Sequence, residues 1–167
     1  SIFVIGLGRI GGEVARKCLN AFDMRGMSYD PAYDAAAMAA RGVEWVPMEK
    51  GLAEADFVTI HVPLKADTRH LMNAAAFARM KKGAIFLNIA RGGLMDQSAL
   101  AAALRSGHLA GAGLDVFEEE PVAPGEDIVD APNTVLSPHY GGDTLTARPR
   151  CSETIARSVL AALAGEP

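Results

Sequence analysis

The sequence predicts an α/β fold, a doubly wound parallel sheet of about seven strands with helices on both faces. Three observations carry that expectation. Short runs rich in Val, Ile, Leu and Phe alternate with amphipathic or alanine-rich runs along the whole chain. Most of the short runs are apolar without alternation, as strands buried on both faces are. The breaks between runs fall largely on Gly, Pro and Asp, the residues that stop helices and turn chains.

The first strand opens the chain and ends at Gly6. Val14, Ala15, Cys18, Leu19 and Phe22 then recur at helical spacing. Gly26 to Tyr29 reads as a second strand, followed by Asp30 and Pro31. Ala32 to Ala40 reads as a helix closed by Gly42, and Val43 to Val46 as a third strand. A brief helix from Pro47 to Ala55 leads to a β-branched strand, Asp56 to Val62. Thr68 to Met72 reads as a helical turn, Ala74 to Met80 as a short helix and Gly83 to Ile89 as the fifth strand. Asp96 is placed to cap a helix through Leu104, which Gly107 ends. Ala110 to Val116 is the sixth strand. Glu118 to Pro132 is acidic, holds three prolines and reads as a surface loop. Thr134 to Leu136 is the seventh strand, and Thr144 to Leu163 a closing helix. Pro149 would kink that helix unless it falls in the first turn.

The first turn carries the most specific chemistry. Gly6, Gly8 and Gly11 form G-x-G-x-x-G between a strand and a helix, the context of a dinucleotide-binding fingerprint. Gly6 permits the sharp turn, Gly8 lets the backbone approach a pyrophosphate, and Gly11 lets helix and strand pack closely. The helix start offers free N–H groups and a positive dipole end to phosphates. Asp30 lies 19 positions after Gly11 (30 − 11), close to the spacing of a carboxylate on the adenosine ribose hydroxyls. That carboxylate repels a 2′-phosphate, which selects NAD over NADP. The fold is therefore of Rossmann type.

Composition excludes other classes. The chain has 167 residues, enough for one domain with a sizeable core. A net charge of −4 without a long basic run argues against a nucleic-acid partner. No apolar run approaches the roughly 18 residues of a membrane helix. Cys18 and Cys151 have no metal or disulfide spacing and read as free thiols in a reducing cytoplasm. No metal site is expected.

In open sheets of this kind ligands bind beyond the carboxyl ends of the strands. Arg91 follows the fifth strand, Glu120 lies beyond the sixth, and His139 follows the seventh. Beside a nicotinamide this trio implies hydride transfer to or from a carbon bearing oxygen. His139 would exchange the matching proton. A carboxylate such as Glu120 next to the ring stabilises its imidazolium form. The planar fork of Arg91 suits a substrate carboxylate. His61 reads as a structural strand-end residue, and His70 and His108 as exposed.

The stretches GLGRIGGEVAR (Gly6 to Arg16), YDP (Tyr29 to Pro31), HVPLKADTRHLMN (His61 to Asn73), MKKGAIFLNIARGGLMDQSALAAAL (Met80 to Leu104), GAGLDVFEEEP (Gly111 to Pro121) and SPHYGG (Ser137 to Gly142) carry a family resemblance. The chain resembles the nucleotide-binding domain of the D-isomer-specific 2-hydroxyacid dehydrogenases, which include phosphoglycerate dehydrogenases and glyoxylate/hydroxypyruvate reductases. The resemblance implies that Arg91 orients substrate, His139 is the acid/base and Glu120 its partner. It places Arg9 and Ile10 beside the pyrophosphate and Asp30 on the ribose. Val62, Pro63 and Thr68 then line the cofactor cleft, and Ile89, Ala90, Asp115 and Gly141 lie near the nicotinamide. It further implies a small 2-hydroxy or 2-oxo acid as substrate and a homodimer. Residues 1–167 would form the NAD-binding domain. The family's substrate domain, built from both chain termini, would lie outside them, so that the chain alone binds NAD weakly and turns over little.

Two other readings differ in class. One is a non-catalytic NAD-sensing module of the same fold, which can retain Arg91, Glu120 and His139. The other is a short-chain dehydrogenase, which needs a Tyr-x-x-x-Lys pair. Tyr29, Tyr33 and Tyr140 have no lysine four residues on.

Overall fold

The computed structural model describes residues 1–166. The strands are β1 (Ile2–Ile5), β2 (Gly26–Tyr29), β3 (Val43–Trp45), β4 (Phe57–Ile60), β5 (Ile85–Asn88), β6 (Gly111–Leu114) and β7 (Thr134–Leu136). The helices are α1 (Arg9–Phe22), α2 (Ala35–Ala39), α3 (Met48–Glu54), α4 (Ala74–Arg79), α5 (Gln97–Arg105) and α6 (Ala147–Leu163). All seven strands join one parallel sheet in the order β3-β2-β1-β4-β5-β6-β7. The order reverses between β1 and β4, which leaves a crevice where the connections leave in opposite directions.

The two faces are filled differently. On one face Phe3, Val58, Phe86 and Ala112 form a row that packs under Leu52 of α3, Phe77 of α4 and Leu100 and Leu104 of α5. Each such large side chain contributes about 1.5–3 kcal/mol through burial. Phe77 meets Phe86 edge-on, with ring centroids 5.2 Å apart. On the other face Val4, Thr59, Leu87, Gly113 and Val135 share a row. There α1 and α2 cover only the β1 end, through Ala15 and Met38. Val4 is fully buried, Leu87 and Gly113 are half-buried, and Val135 is 75% exposed. Helices therefore stand on both faces, as expected, but the second face is open at β5 to β7. Helix α6 buries none of its residues.

Several local expectations shift. Helix α2 starts at Ala35 because Asp34 caps it, accepting from the Ala37 N–H at 2.8 Å. Thr68 to Met72 forms a hydrogen-bonded turn and no helix. The loop from Glu118 to Pro132 is not merely surface. Ile128 and Ala131 are buried in the main core, and Arg105 binds both the Asp127 carboxylate and its carbonyl. Pro149 is the third residue of α6, in the first turn, where it removes no helical hydrogen bond.

Candidate functional site

The turn after β1 is shaped by steric contact. Gly6 has φ +92°, and a Cβ there would stand 2.8 Å from Cγ1 of Val62. At Gly11 a Cβ would overlap the carbonyl oxygen of Gly6, so the helix can approach the strand only with glycine there. Gly8 is the N-cap of α1 and makes no side-chain cap bond. A Cβ at Gly8 would meet nothing within 4 Å. The turn thus leaves open space above it and N–H groups of the first helical turn facing that space, which fits a pyrophosphate. Arg9 and Ile10 are exposed on this turn.

Asp30 faces the same turn. Its Oδ2 accepts from the Leu7 N–H at 2.7 Å and its Oδ1 from the Ala32 N–H at 2.9 Å. A carboxylate offers about four acceptor positions, so about two remain for a ribose diol. The same bonds tie β2 to the glycine turn. Leu7 therefore matters through its main chain, which no side-chain pattern could announce.

The crevice between β1 and β4 opens into a cleft of about 630 Å³ lined by Ile10, His61, Val62, Pro63, Leu64, Ile89, Ala90 and Arg91. Ile10 and Ile89 are 64% and 46% exposed, and they form apolar lips that suit a flat ring. Thr68 does not line this cleft. Its hydroxyl donates to the Pro63 carbonyl at 2.7 Å and accepts from the Lys65 N–H at 2.8 Å, which shapes the loop that does. His61, which follows β4, also lines the cleft. Its Nε2 pairs with the Thr59 hydroxyl at 3.0 Å, and burial pushes the imidazole down to about 4. It is therefore neutral at physiological pH.

Beyond β5, Arg91 lines the cleft in extended backbone, with Nη1 donating to the Ala90 carbonyl at 2.6 Å. Beyond β6, Glu120 accepts from the Phe117 N–H at 3.0 Å through Oε1. Its Oε2 accepts from Nδ1 of His139 at 2.7 Å. The His139 bond, then the Phe117 bond, hold Glu120 below the usual carboxylate range against its partial burial. The bond occupies Nδ1, so Nε2 is the nitrogen left to act outward. His139 itself has φ +57°. Such a conformation in a residue with a Cβ costs about 1–2 kcal/mol and persists only under constraint.

Asp115 supplies that constraint. It is 4% exposed and accepts from the Ser137 hydroxyl at 2.6 Å, the Tyr140 N–H at 2.8 Å and the Gly141 N–H at 2.7 Å. Burial opposes its charge, but these bonds outweigh burial and hold it below the usual carboxylate range. A Cβ on Gly141 would stand 2.8 Å from Asp115 Oδ2 and press on the carboxylate that holds the loop. An apolar cavity of about 360 Å³ lies beside the Glu120–His139 pair, lined also by Phe117, Pro121, Val122 and Pro138.

The structure thus gathers Ile10, Val62, Pro63, Ile89, Ala90 and Arg91 around one cleft, and pairs Glu120 with His139 beside a loop clamped by Asp115. Of the remaining histidines, His70 lies 3.3 Å from Glu118 and His108 is half-buried with Nε2 unpartnered among the described residues. Leu64, Asn88 and Ser137 were not singled out in the sequence. Asn88 could have been, as an amide ending an otherwise apolar strand.

Comparison with known proteins follows the same lines. The family model described as "D-isomer specific 2-hydroxyacid dehydrogenase, NAD binding domain" matches residues 1–141. A glyoxylate reductase of Korarchaeum cryptofilum is 43% identical over 163 residues, covering 98% of this chain and 49% of that protein. A D-3-phosphoglycerate dehydrogenase of Rattus norvegicus is 45% identical over 153 residues, covering 92% of this chain and 28% of that protein. Among solved structures, D-lactate dehydrogenase of Aquifex aeolicus, complexed with NAD and lactic acid, superposes with a TM-score of 0.88 at 30% identity, over 99% of this chain and 54% of that one. The chain spans about half the length of the glyoxylate reductase and less than a third of the phosphoglycerate dehydrogenase.

Proposed function

The chain belongs to the D-isomer-specific 2-hydroxyacid dehydrogenases as their NAD-binding domain, and from that premise we propose that the protein transfers a hydride between NAD(H) and a 2-hydroxy or 2-oxo acid. The observation that carries the reading is the Glu120–His139 pair, 2.7 Å apart, with Nε2 of His139 left free. Bound nicotinamide supplies or accepts the hydride. This chain's residues do the rest. The glycine turn at Gly6, Gly8 and Gly11 receives the pyrophosphate on main-chain N–H groups, with Arg9 beside it. Asp30 takes the ribose hydroxyls and disfavours a 2′-phosphate. Ile10, Val62, Pro63, Ile89 and Ala90 exclude water from the cleft. Thr68 holds the 63–68 loop, and Asp115 and Gly141 hold the turn near the nicotinamide.

Arg91 binds the acid's carboxylate with two parallel N–H bonds and so presents the neighbouring carbon. In reduction His139 gives the Nε2 proton to the carbonyl oxygen. In oxidation Nε2 removes the hydroxyl proton. Throughout, Nδ1–H stays on Glu120, which fixes the ring and stabilises its charged form. The substrate domain is proposed to lie outside residues 1–167 and to choose the acid.

We further propose a cytoplasmic homodimer. The free thiols at Cys18 and Cys151 support a reducing compartment, and among the described residues no helix is long and apolar enough to cross a membrane. Analytical ultracentrifugation of the complete polypeptide reads the oligomer. The central test follows NADH absorbance with a panel of 2-oxo acids. Oxidation with at least one acid is expected. Tight NADH binding without oxidation of any acid would replace the reading with an NAD-sensing module.

A further inference from the structure

We propose that Asn88 is the positioning residue of Arg91, and that Gly92 completes the device by setting where the Arg91 turn meets the segment bearing Glu120. The inference rests on the reading of Arg91 as the carboxylate-binding group.

Asn88 is the last residue of β5 and is fully buried. An amide at that depth must find partners for its own donor and acceptor. Both lie in the turn that follows. Nδ2 donates to the Arg91 carbonyl at 3.0 Å, and Oδ1 accepts from the Ala90 N–H at 3.0 Å. One side chain thus grips the main chain of two successive residues. Neither peptide can rotate without stranding a buried polar group. The Arg91 carbonyl accepts a second bond from the Leu94 N–H at 3.2 Å, which extends the grip into the next turn.

Only the main chain of Arg91 is held this way. Its side chain makes no ion pair among the described residues and lines the cleft. Nη1 donates to the Ala90 carbonyl at 2.6 Å, so a rigid base carries a guanidinium whose other N–H groups remain available. The other residues of β5, Ile85, Phe86 and Leu87, are apolar. The row of core contacts does not use the Asn88 amide, so packing alone gives no reason for one here.

Gly92 acts from the other side. A Cβ on it would overlap the Phe117 carbonyl and the Glu118 nitrogen. Two main chains therefore touch at this point. Phe117 also donates to Glu120 Oε1 at 3.0 Å. The Arg91 turn is thereby set against the same short segment that orients Glu120 and, through Glu120, His139. Asn88 fixes the turn from the strand and Gly92 fixes it from the loop.

The test compares the best 2-oxo acid of the panel with the aldehyde that lacks its carboxylate, using NADH and the complete polypeptide. Arg91→Ala should abolish the preference for the acid. Asn88→Ala should lower that preference at least about tenfold, chiefly by raising KM for the acid. NAD affinity by calorimetry should fall far less than the preference for the acid, since Asn88 reaches the cleft only through the main chain of Ala90 and Arg91. A second readout is the Arg91 Nε–H signal in a 15N spectrum. It should shift on adding oxamate to the NADH-bound protein, and the shift should be lost in Asn88→Ala. Where Asn88→Ala does not bind NAD, the isosteric Asn88→Asp carries the same test. It keeps the acceptor for Ala90 and loses the donor to Arg91. Asn88 variants that bind NAD and retain full acid preference overturn the inference. Retention of that preference by Arg91→Ala overturns the reading of Arg91 beneath it.

Discussion

The glycine turn after β1 and the segments that carry Arg91, Glu120 and His139 are held by different forces. At the turn the constraint is steric and lies in the main chain: Gly11 against the Gly6 carbonyl, Gly6 against Val62. In the second group the constraint is chiefly polar and lies in side chains. Asn88 grips the Arg91 turn, Asp115 the His139 loop, and Glu120 the His139 ring. The first kind of wall tolerates pH and resists substitution. The second tolerates small changes in shape and, at Asp115 and at the Glu120–His139 pair, depends on ionisation.

Four substitutions sharpen the contrast. The largest effect is expected at His139. His139→Ala should reduce kcat by about 10²–10⁴-fold while NAD affinity by calorimetry stays within about twofold. Turnover that survives would remove His139 from the proposed acid/base role. Gly11→Ala should behave oppositely. Forcing a methyl into the Gly6 carbonyl costs about 1–3 kcal/mol, so NAD affinity and melting temperature should both fall. An unchanged NAD affinity would show that the turn yields more readily than its packing implies.

The next effect is smaller and belongs to the cleft floor. Burial lowers His61 from 6.5 to about 4. Between those values the unfolded chain binds a proton that the native state refuses. Stability is therefore complete above about 6.5 and falls as pH drops towards 4. His61→Gln should flatten that limb of a stability–pH curve by about 1–3 kcal/mol. An unaltered curve would place the acid sensitivity elsewhere. The smallest effect is expected at Glu120, which is partly exposed. Its carboxyl is lowered from 4.5 by His139. Its contribution is present above that value and lost as pH falls through the lower folded one. Glu120→Gln should lower stability by less than about 1 kcal/mol above this acid window and leave it unchanged below. A larger change near neutrality would contradict the weak, exposed pairing.

The sequence carried different parts of this site with different clarity. The strand–turn–helix at Gly6 to Gly11 was legible because close backbone approach demands glycine, and glycine is visible in one dimension. Arg91, Glu120 and His139 were legible only jointly, as polar residues after apolar strands. Asp115 read as a residue near the nicotinamide, whereas its three hydrogen bonds go to the His139 loop. The Thr68 hydroxyl likewise binds within its own loop. Neither partner choice follows from residue type, because a side-chain oxygen can bind any donor that the fold brings near. The acidic loop after β6 read as surface because its composition is polar, but Ile128 and Ala131 are enough to anchor it.

By itself the sequence determined the element order, the parallel sheet and the glycine turn between β1 and α1. These depend on local periodicity and on whether a residue has a Cβ. Tertiary structure alone decided the strand order that opens the cleft between β1 and β4, the left-handed backbone of His139, and the grip of Asn88 on the Arg91 turn. It also decided that one sheet face closes over β1 and stays open at Val135. Each of these is a contact between segments distant in the chain or a conformation held by such contacts. Their strength comes from removing polar groups from water, which no single segment can do alone.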